Sequence, residues 1–301
     1  MDKALIITLS NIGDLVMTTP LMEAVYTLMP DKSIDVLGDA RSSELLRNAP
    51  YVSTIFNRNK MGGLEQQFNL FKSLRDQRYD LIVDLRTFFL PYLLRAQHKF
   101  IKRKSLRGDE HSVEESFSCL RSAGKFPDDI PDCKIYLSES DIEKTKKLTR
   151  DLPKGRWLII GPGANWPGKK WPANRFGALV EKALELKLFE AVLVVGGPND
   201  LSENLAVDLS GLPVLDLRGK TDLTLVAAVL SKATLFIGND SGLGHIASAV
   251  GVRTITLFGP GVPHRYRPWG KRGEVIVAPY ENLDNLQWKT VLKQINPEIQ
   301  I

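Results

Sequence analysis

Phe236-Ile237-Gly238-Asn239-Asp240-Ser241-Gly242-Leu243-Gly244-His245-Ile246-Ala247 runs from a short apolar strand, through a glycine-rich bend, into a helix of small residues. Such a bend leaves backbone N–H groups unpaired at the positive end of a helix dipole. That arrangement seats anions, phosphate above all. Ser241, Gly242, Leu243 and Gly244 can offer N–H donors to a diphosphate, and the Ser241 hydroxyl adds another. Asp240 accepts only, so it is expected to tie down the loop rather than touch the anion. His245, on the first helical turn, is either a structural hydrogen-bonder or a phosphate contact.

A second glycine bend, Ser10-Asn11-Ile12-Gly13-Asp14, follows the first apolar strand. Asp14 reads in two ways: as a helix N-cap, or as a general base at the mouth of a sheet. Gly13 belongs to the same bend. A third loop, Gly161-Pro162-Gly163-Ala164-Asn165-Trp166-Pro167-Gly168-Lys169-Lys170-Trp171-Pro172, leaves the first strand of the second half. Gly163 to Asn165 can pass close to a ligand, and Lys169 or Lys170 can neutralise phosphate as a point charge. Trp166 and Trp171 read as loop anchors. Gly196-Gly197-Pro198 is a tight turn, and Gly219-Lys220-Thr221-Asp222-Leu223 starts a helix with Thr221 as its cap.

Strand-like runs alternate with helical patterns along all 301 residues. In the first half the strands are 3–9, 33–37, 53–56, 81–85 and 99–103, with helices over 15–28, 64–75 and 88–97. In the second half, strands at 157–160, 191–195, 214–217, 234–237 and 253–258 interleave with helices at 174–187, 201–209, 223–231 and 244–250. Segment 140–150 and the terminal 287–295 also read as helical. The alternation implies an α/β fold of two doubly wound parallel sheets, with ligands at the carboxyl ends of the strands. The expected domains are 1–152 and 153–285, followed by a terminal helix within 286–301 that packs back across the lobes.

Hydrophobic content of 43% and charged content of 25% are those of a globular chain. No apolar run reaches the roughly 20 residues that span a bilayer, and no secretory leader is visible, so a cytoplasmic location is expected. Cys119 and Cys133 fit neither a metal pattern nor a disulfide framework. Net charge is +5, but Arg95, Lys99, Lys102, Arg103, Lys104 and Arg107 cluster without an acidic residue among them. This run is either a solvated edge or a patch for an anionic acceptor or membrane surface. Aromatic residues do not interleave with it as stacking platforms for nucleic acid would. The D-x-D clamp, the G-x-G-x-x-G fingerprint and the Walker A loop are all missing. Phosphate charge is therefore expected to be met by backbone, dipole and lysine, with no metal and no cofactor.

Together these motifs resemble glycosyltransferase family 9, the ADP-heptose:lipopolysaccharide heptosyltransferases. The resemblance runs from Ala4 to about Pro268. It rests on Leu9-Ser10-Asn11-Ile12-Gly13-Asp14 with Thr18-Thr19-Pro20, on Gly163-Ala164 with Trp171-Pro172, and on Gly196-Gly197-Pro198. Leu217-Arg218-Gly219-Lys220-Thr221, and Asp240 to Ala247 followed by Leu257-Phe258-Gly259-Pro260, complete it. The chain departs from many members in having Thr8 where a basic residue is common, and in lacking a lysine in the strand ending at Val195.

The resemblance implies a GT-B architecture, two Rossmann-like domains facing across a cleft. It also implies inverting, metal-independent transfer from an ADP-activated heptose to a lipopolysaccharide core or related glycan. Asp14 becomes the base and Ser241 to Gly244 the pyrophosphate cradle. The partners implied are a nucleotide-sugar donor, an anionic glycan or glycolipid acceptor, and peripheral contact with the inner membrane surface. A nucleotide-sugar epimerase of the same shape would turn over donor without acceptor. A non-catalytic nucleotide-sugar-binding protein would bind ADP and form no product.

Overall fold

The computed structural model describes residues 1–59, 63–102, 108–121, 129–206 and 210–299. The chain divides into two compact units, Met1–Tyr136 and Leu137–Ile301.

The first unit runs β1 (Ala4–Ile7), α1 (Ile12–Val16), α2 (Thr19–Tyr26), β2 (Ile34–Asp39), α3 (Ala40–Ser43), β3 (Val52–Arg58), α4 (Leu64–Arg75), β4 (Tyr79–Asp84), α5 (Leu90–Leu93), β5 (Ala96–Ile101) and α6 (Ser112–Arg121). Its five strands are all parallel, in the order β3-β2-β1-β4-β5. Every residue of β1 and β2 is buried, as expected for strands covered on both faces.

The expected helix over 15–28 is two helices. Pro20 has no N–H for the Val16 carbonyl, and the Thr19 hydroxyl takes that carbonyl instead, at 2.7 Å. Thr18 Oγ1 likewise donates to the Asp14 carbonyl at 2.9 Å. The helix expected over 88–97 is a correction: one turn forms at Leu90–Leu93, and the chain then extends as β5 from Ala96 rather than from Lys99. Phe88 sits at φ 63°, a left-handed conformation at which no helix can pass. Helix α6, with Val113, Phe117 and Leu120 buried, was not expected.

The second unit runs α7 (Glu139–Leu148), β6 (Trp157–Gly161), α8 (Ala173–Glu185), β7 (Ala191–Val194), β8 (Val214–Asp216), α9 (Leu223–Leu230), β9 (Leu235–Asn239), α10 (Gly242–Ala249), β10 (Arg253–Phe258), α11 (Pro263–Tyr266), β11 (Gly273–Val277) and α12 (Trp288–Ile295). The parallel sheet has the order β11-β10-β9-β6-β7-β8, with β11 an unexpected sixth strand. Of the helix expected over 201–209, the described residues show a 3₁₀ turn at Pro198–Ser202 and irregular chain to Ala206; residues 207–209 lie outside the described set.

Helix α8 buries Phe176, Leu179, Val180 and Ala183, a helical stripe against the sheet, and α12 packs on α8 with Val291 and Leu292 in the core. Helix α9, LTLVAAVL, is buried nearly all round and packs against both α7 and α10. Helix α7 therefore belongs with the second unit, and the division precedes it. Its inward residues Asp141, Thr145 and Thr149 are polar, but each threonine hydroxyl donates to a carbonyl of its own helix, at 2.8 and 2.9 Å.

Both sheets follow the 3-2-1-4-5 winding of Rossmann folds. In each, the winding reverses beside the first strand, between β1 and β4 and between β6 and β9. Ligands of open α/β sheets bind outside the strand ends at this switch point.

Candidate active site

In the second unit, the loops leaving β6 and β9 flank the switch point, and Asn239 ties them together. Fully buried, its amide donates to the Pro162 carbonyl at 2.7 Å and accepts the Trp171 N–H at 2.9 Å. The Trp171 ring is also fully buried. It is edge-on to Phe176 and donates its indole N–H to the Leu286 carbonyl at 2.8 Å, so it anchors the loop as expected. Trp166 does not share that role: it is half exposed.

Lys169 pairs with Asp240, so Asp240 does hold a loop, and Lys170 pairs with Glu203, each at 2.5 Å. Both lysine charges are matched by carboxylates here. Arg218 pins the β7 and β8 loops to each other, donating to the carbonyls of Asp200 and Glu203 at 3.0 and 2.6 Å while forking onto Asp216. Burial pushes Asp216 up, but the Arg218 guanidinium outweighs it and holds the carboxyl below its ordinary value. Gly219 lies at φ 68° and donates its N–H to the Gly196 carbonyl at 2.9 Å. A Cβ on Gly163 would stand 2.2 Å from the Asp200 carboxyl, which itself accepts the Gly197 N–H at 2.8 Å. Ala164 is half-buried and Asn165 exposed.

Ser241 occupies the N-cap position of α10, yet its hydroxyl caps nothing and has no partner among the described residues. Gly242 and Leu243 form the first turn and are half-buried. Gly244 faces inward. A Cβ there would meet Thr256 Oγ1 at 3.2 Å, so this glycine lets α10 sit close on β10 rather than opening the bend to a ligand. His245 is buried on the same helix. Thr221 is not the cap of α9; Asp222 is, accepting the Leu225 N–H at 2.7 Å. The buried Thr221 hydroxyl, like that of Ser241, has no partner among the described residues. Orphaned buried hydroxyls are uncommon and mark places where a ligand can complete the hydrogen bonding.

In the first unit, Gly13 and Asp14 lie in α1, whose N-cap position is Asn11, so Asp14 is not the cap. Its carboxylate accepts from Asn11 Nδ2 at 2.9 Å. Burial raises the Asp14 carboxyl above its ordinary value, while the Asn11 hydrogen bond and the positive charge of Lys102 pull against that rise. Lys102 is itself largely buried, bound to Glu115 at 3.2 Å and Ser116 Oγ at 3.1 Å. It is thus withdrawn from the basic run, in which Arg95 and Lys99 are exposed. Arg103, Lys104 and Arg107 lie outside the described residues.

Asn239 and Asp84 are the residues sequence reasoning missed. Buried Asp84 shapes the loop after β4, accepting the N–H groups of Arg86 and Thr87 at 2.8 and 2.7 Å. The one signal available was a polar residue closing an apolar strand. Burial pushes the thiols of Cys119 and Cys133 up to about 12, so neither is a nucleophile. Among the described residues, no three His, Cys, Asp or Glu side chains group as metal ligands would. None of the described helices is long and apolar enough to cross a membrane.

Two parallel sheets with Rossmann winding define a GT-B glycosyltransferase scaffold. The model of glycosyltransferase family 9 (heptosyltransferase) matches residues 67–296, and the chain belongs to that family. Lipopolysaccharide heptosyltransferase 3 of Escherichia coli (strain K12) is 28% identical over 288 residues, which cover 85% of this chain and 82% of that one. The glycosyltransferase family 9 structure from Veillonella parvula DSM 2008 superposes with a TM-score of 0.86 at 21% identity, covering 97% of this chain and 96% of that one. E. coli heptosyltransferase WaaC with ADP gives a TM-score of 0.78 at 19% identity, covering 99% and 100%.

Proposed function

We propose that this glycosyltransferase moves heptose from an ADP-heptose donor onto a lipopolysaccharide-core glycan, by a single inverting displacement that uses no metal. The observation that carries the reading is Asp14: a carboxylate at the ligand end of the first sheet, oriented by Asn11 and raised by burial. A base works best when its pKa lies nearer the working pH. Asp14 takes the proton of the acceptor hydroxyl as that oxygen attacks the anomeric carbon. The C–O bond to the diphosphate breaks on the opposite face, through an oxocarbenium-like transition state. The leaving diphosphate collects negative charge, which N–H groups from Ser241 to Gly244 and the hydroxyls of Ser241 and Thr221 stabilise. Such prearranged donors are usually the largest catalytic term.

The relatives named as lipopolysaccharide heptosyltransferases support the sugar and the acceptor, and the ADP in the WaaC structure supports the nucleotide. Lys99 would meet the anionic acceptor, on the cytoplasmic face of the inner membrane; Arg95, at the amino end of β5, lies away from the ligand end of the sheet. The test is Asp14→Asn, with transfer from ADP-heptose followed by product mass and ADP binding followed by calorimetry. Lost turnover with intact ADP binding is expected. An Asn variant that still turns over removes Asp14 from the base role.

A further inference from the structure

The first unit holds a cavity of about 420 Å³ that the transfer chemistry does not use. It opens at the carboxyl ends of β1 and β2, where α4 stands off the sheet and leaves only Leu74 of that helix buried. Ile7 and Leu37 form its floor, Leu70 and Phe71 of α4 one wall, and Leu90 and Leu93 of α5 the other. Phe89 at the mouth is 65% exposed and Leu93 50% exposed, so the apolar lining continues outward into solvent. A mostly apolar pocket of this size with a few placed polar groups is the usual form of a small-molecule site.

Its polar lining, which includes Asn57, Gln66 and Gln67, carries two guanidiniums, Arg58 at the end of β3 and Arg86 after β4. Arg86 is fixed by the Asp84 loop and touches Ser10 Oγ. Among the described residues, neither arginine has a carboxylate at ion-pair distance. Asp39, the nearby acid that attracts Arg86, is already forked by Arg41 at 3.0 and 3.2 Å. Burial and the like charge of Arg58 both hold the Arg86 guanidinium below its ordinary pKa. Two cations crowded over an apolar pocket are relieved by an anion between them, and Arg is suited to grip one bidentately. The backbone there is also unusual, since Phe88 is held left-handed beside the mouth.

We propose that this cavity binds an anionic amphiphile, with its apolar chain between α4 and α5 and its phosphate or carboxylate between Arg58 and Arg86. The site stands independently of the transferase reading.

The test titrates the full chain with dodecyl phosphate below its micelle concentration, alongside inorganic phosphate and neutral dodecyl maltoside. One-to-one binding of dodecyl phosphate is expected, at least tenfold tighter than either comparison compound. Arg58→Glu changes an exposed residue and should weaken it about tenfold or more. Leu70→Trp should fill the cavity and abolish it, with circular dichroism showing both variants folded. Equal binding of the neutral amphiphile, or dodecyl phosphate binding unchanged in both variants, overturns the proposal. Binding to phosphatidylglycerol vesicles without binding of monomeric dodecyl phosphate also overturns it, in favour of a surface contact.

Discussion

Replacing Lys102 with Met deletes one ammonium and keeps most of the aliphatic stem, and two separate effects should follow. Lys102 and Glu115 have side-chain exposures of only 12% and 7% and lie 3.2 Å apart. Removing one member of a buried pair takes a countercharge from the other, at a cost of about 3 kcal/mol. At roughly 3 °C per kcal/mol for a chain of this size, the melting midpoint falls by about 10 °C. The second effect concerns Asp14. Lys102 is one of the two groups that offset the rise in its pKa. Without it the carboxyl rises further, and the acid limb of the pH–rate profile for transfer moves to higher pH. The double variant Lys102→Met/Glu115→Leu separates the two, because an apolar replacement for a buried pair is close to neutral. It should recover most of the lost stability and keep the displaced acid limb. Scanning calorimetry and single-turnover rates across pH read both effects. A midpoint unchanged in Lys102→Met, or an acid limb that moves down or stays, would refute the reasoning.

The same carboxyl makes stability depend on pH. Because the folded-state pKa of Asp14 lies above the ordinary 3.8, its contribution is fully present below that value and is lost as pH rises through the folded pKa. Asp14→Asn escapes the loss, so denaturant melts should show it gaining on the parent chain as pH rises from the carboxylate range towards neutrality. Ser241→Ala removes a buried hydroxyl that has no partner among the described residues; thermal stability should hold or improve, while ADP binding by calorimetry weakens about tenfold. Asn239→Leu strips partners from the Trp171 N–H and the Pro162 carbonyl. At about 1–3 kcal/mol for each unpaired buried group, urea melts should show a loss of about 2–6 kcal/mol.

Strands were the most legible part of the sequence, because a parallel strand covered on both faces reads as a continuous apolar run; Ala4–Ile7 and Ala191–Val194 are plain examples. Errors arose where a local rule had a competitor. The apolar stretch after Thr87 reads as a helix, but a left-handed Phe88 and the pull of the sheet edge turn most of it into a loop and β5. Thr221 looked like a cap because it stands near a helix start. The cap goes to Asp222, one residue on, and that choice depends on turn geometry rather than on residue type. The glycine bend at Ser241 was visible in the sequence. The bonds that shape it were not, since Asn239 to Pro162 and Lys169 to Asp240 span more than seventy positions. Local pattern carries no trace of such partners.

The cover that α7 provides for α9 bears on how the C-terminal half can be prepared alone. A fragment beginning at 153 would present α9 bare along the side that α7 protects, and its run of leucine, valine and alanine would become a sticky flank prone to self-association. A fragment beginning at 137 keeps that flank sheathed, with the Ser138 cap intact on the Asp141 N–H, and is the piece to express.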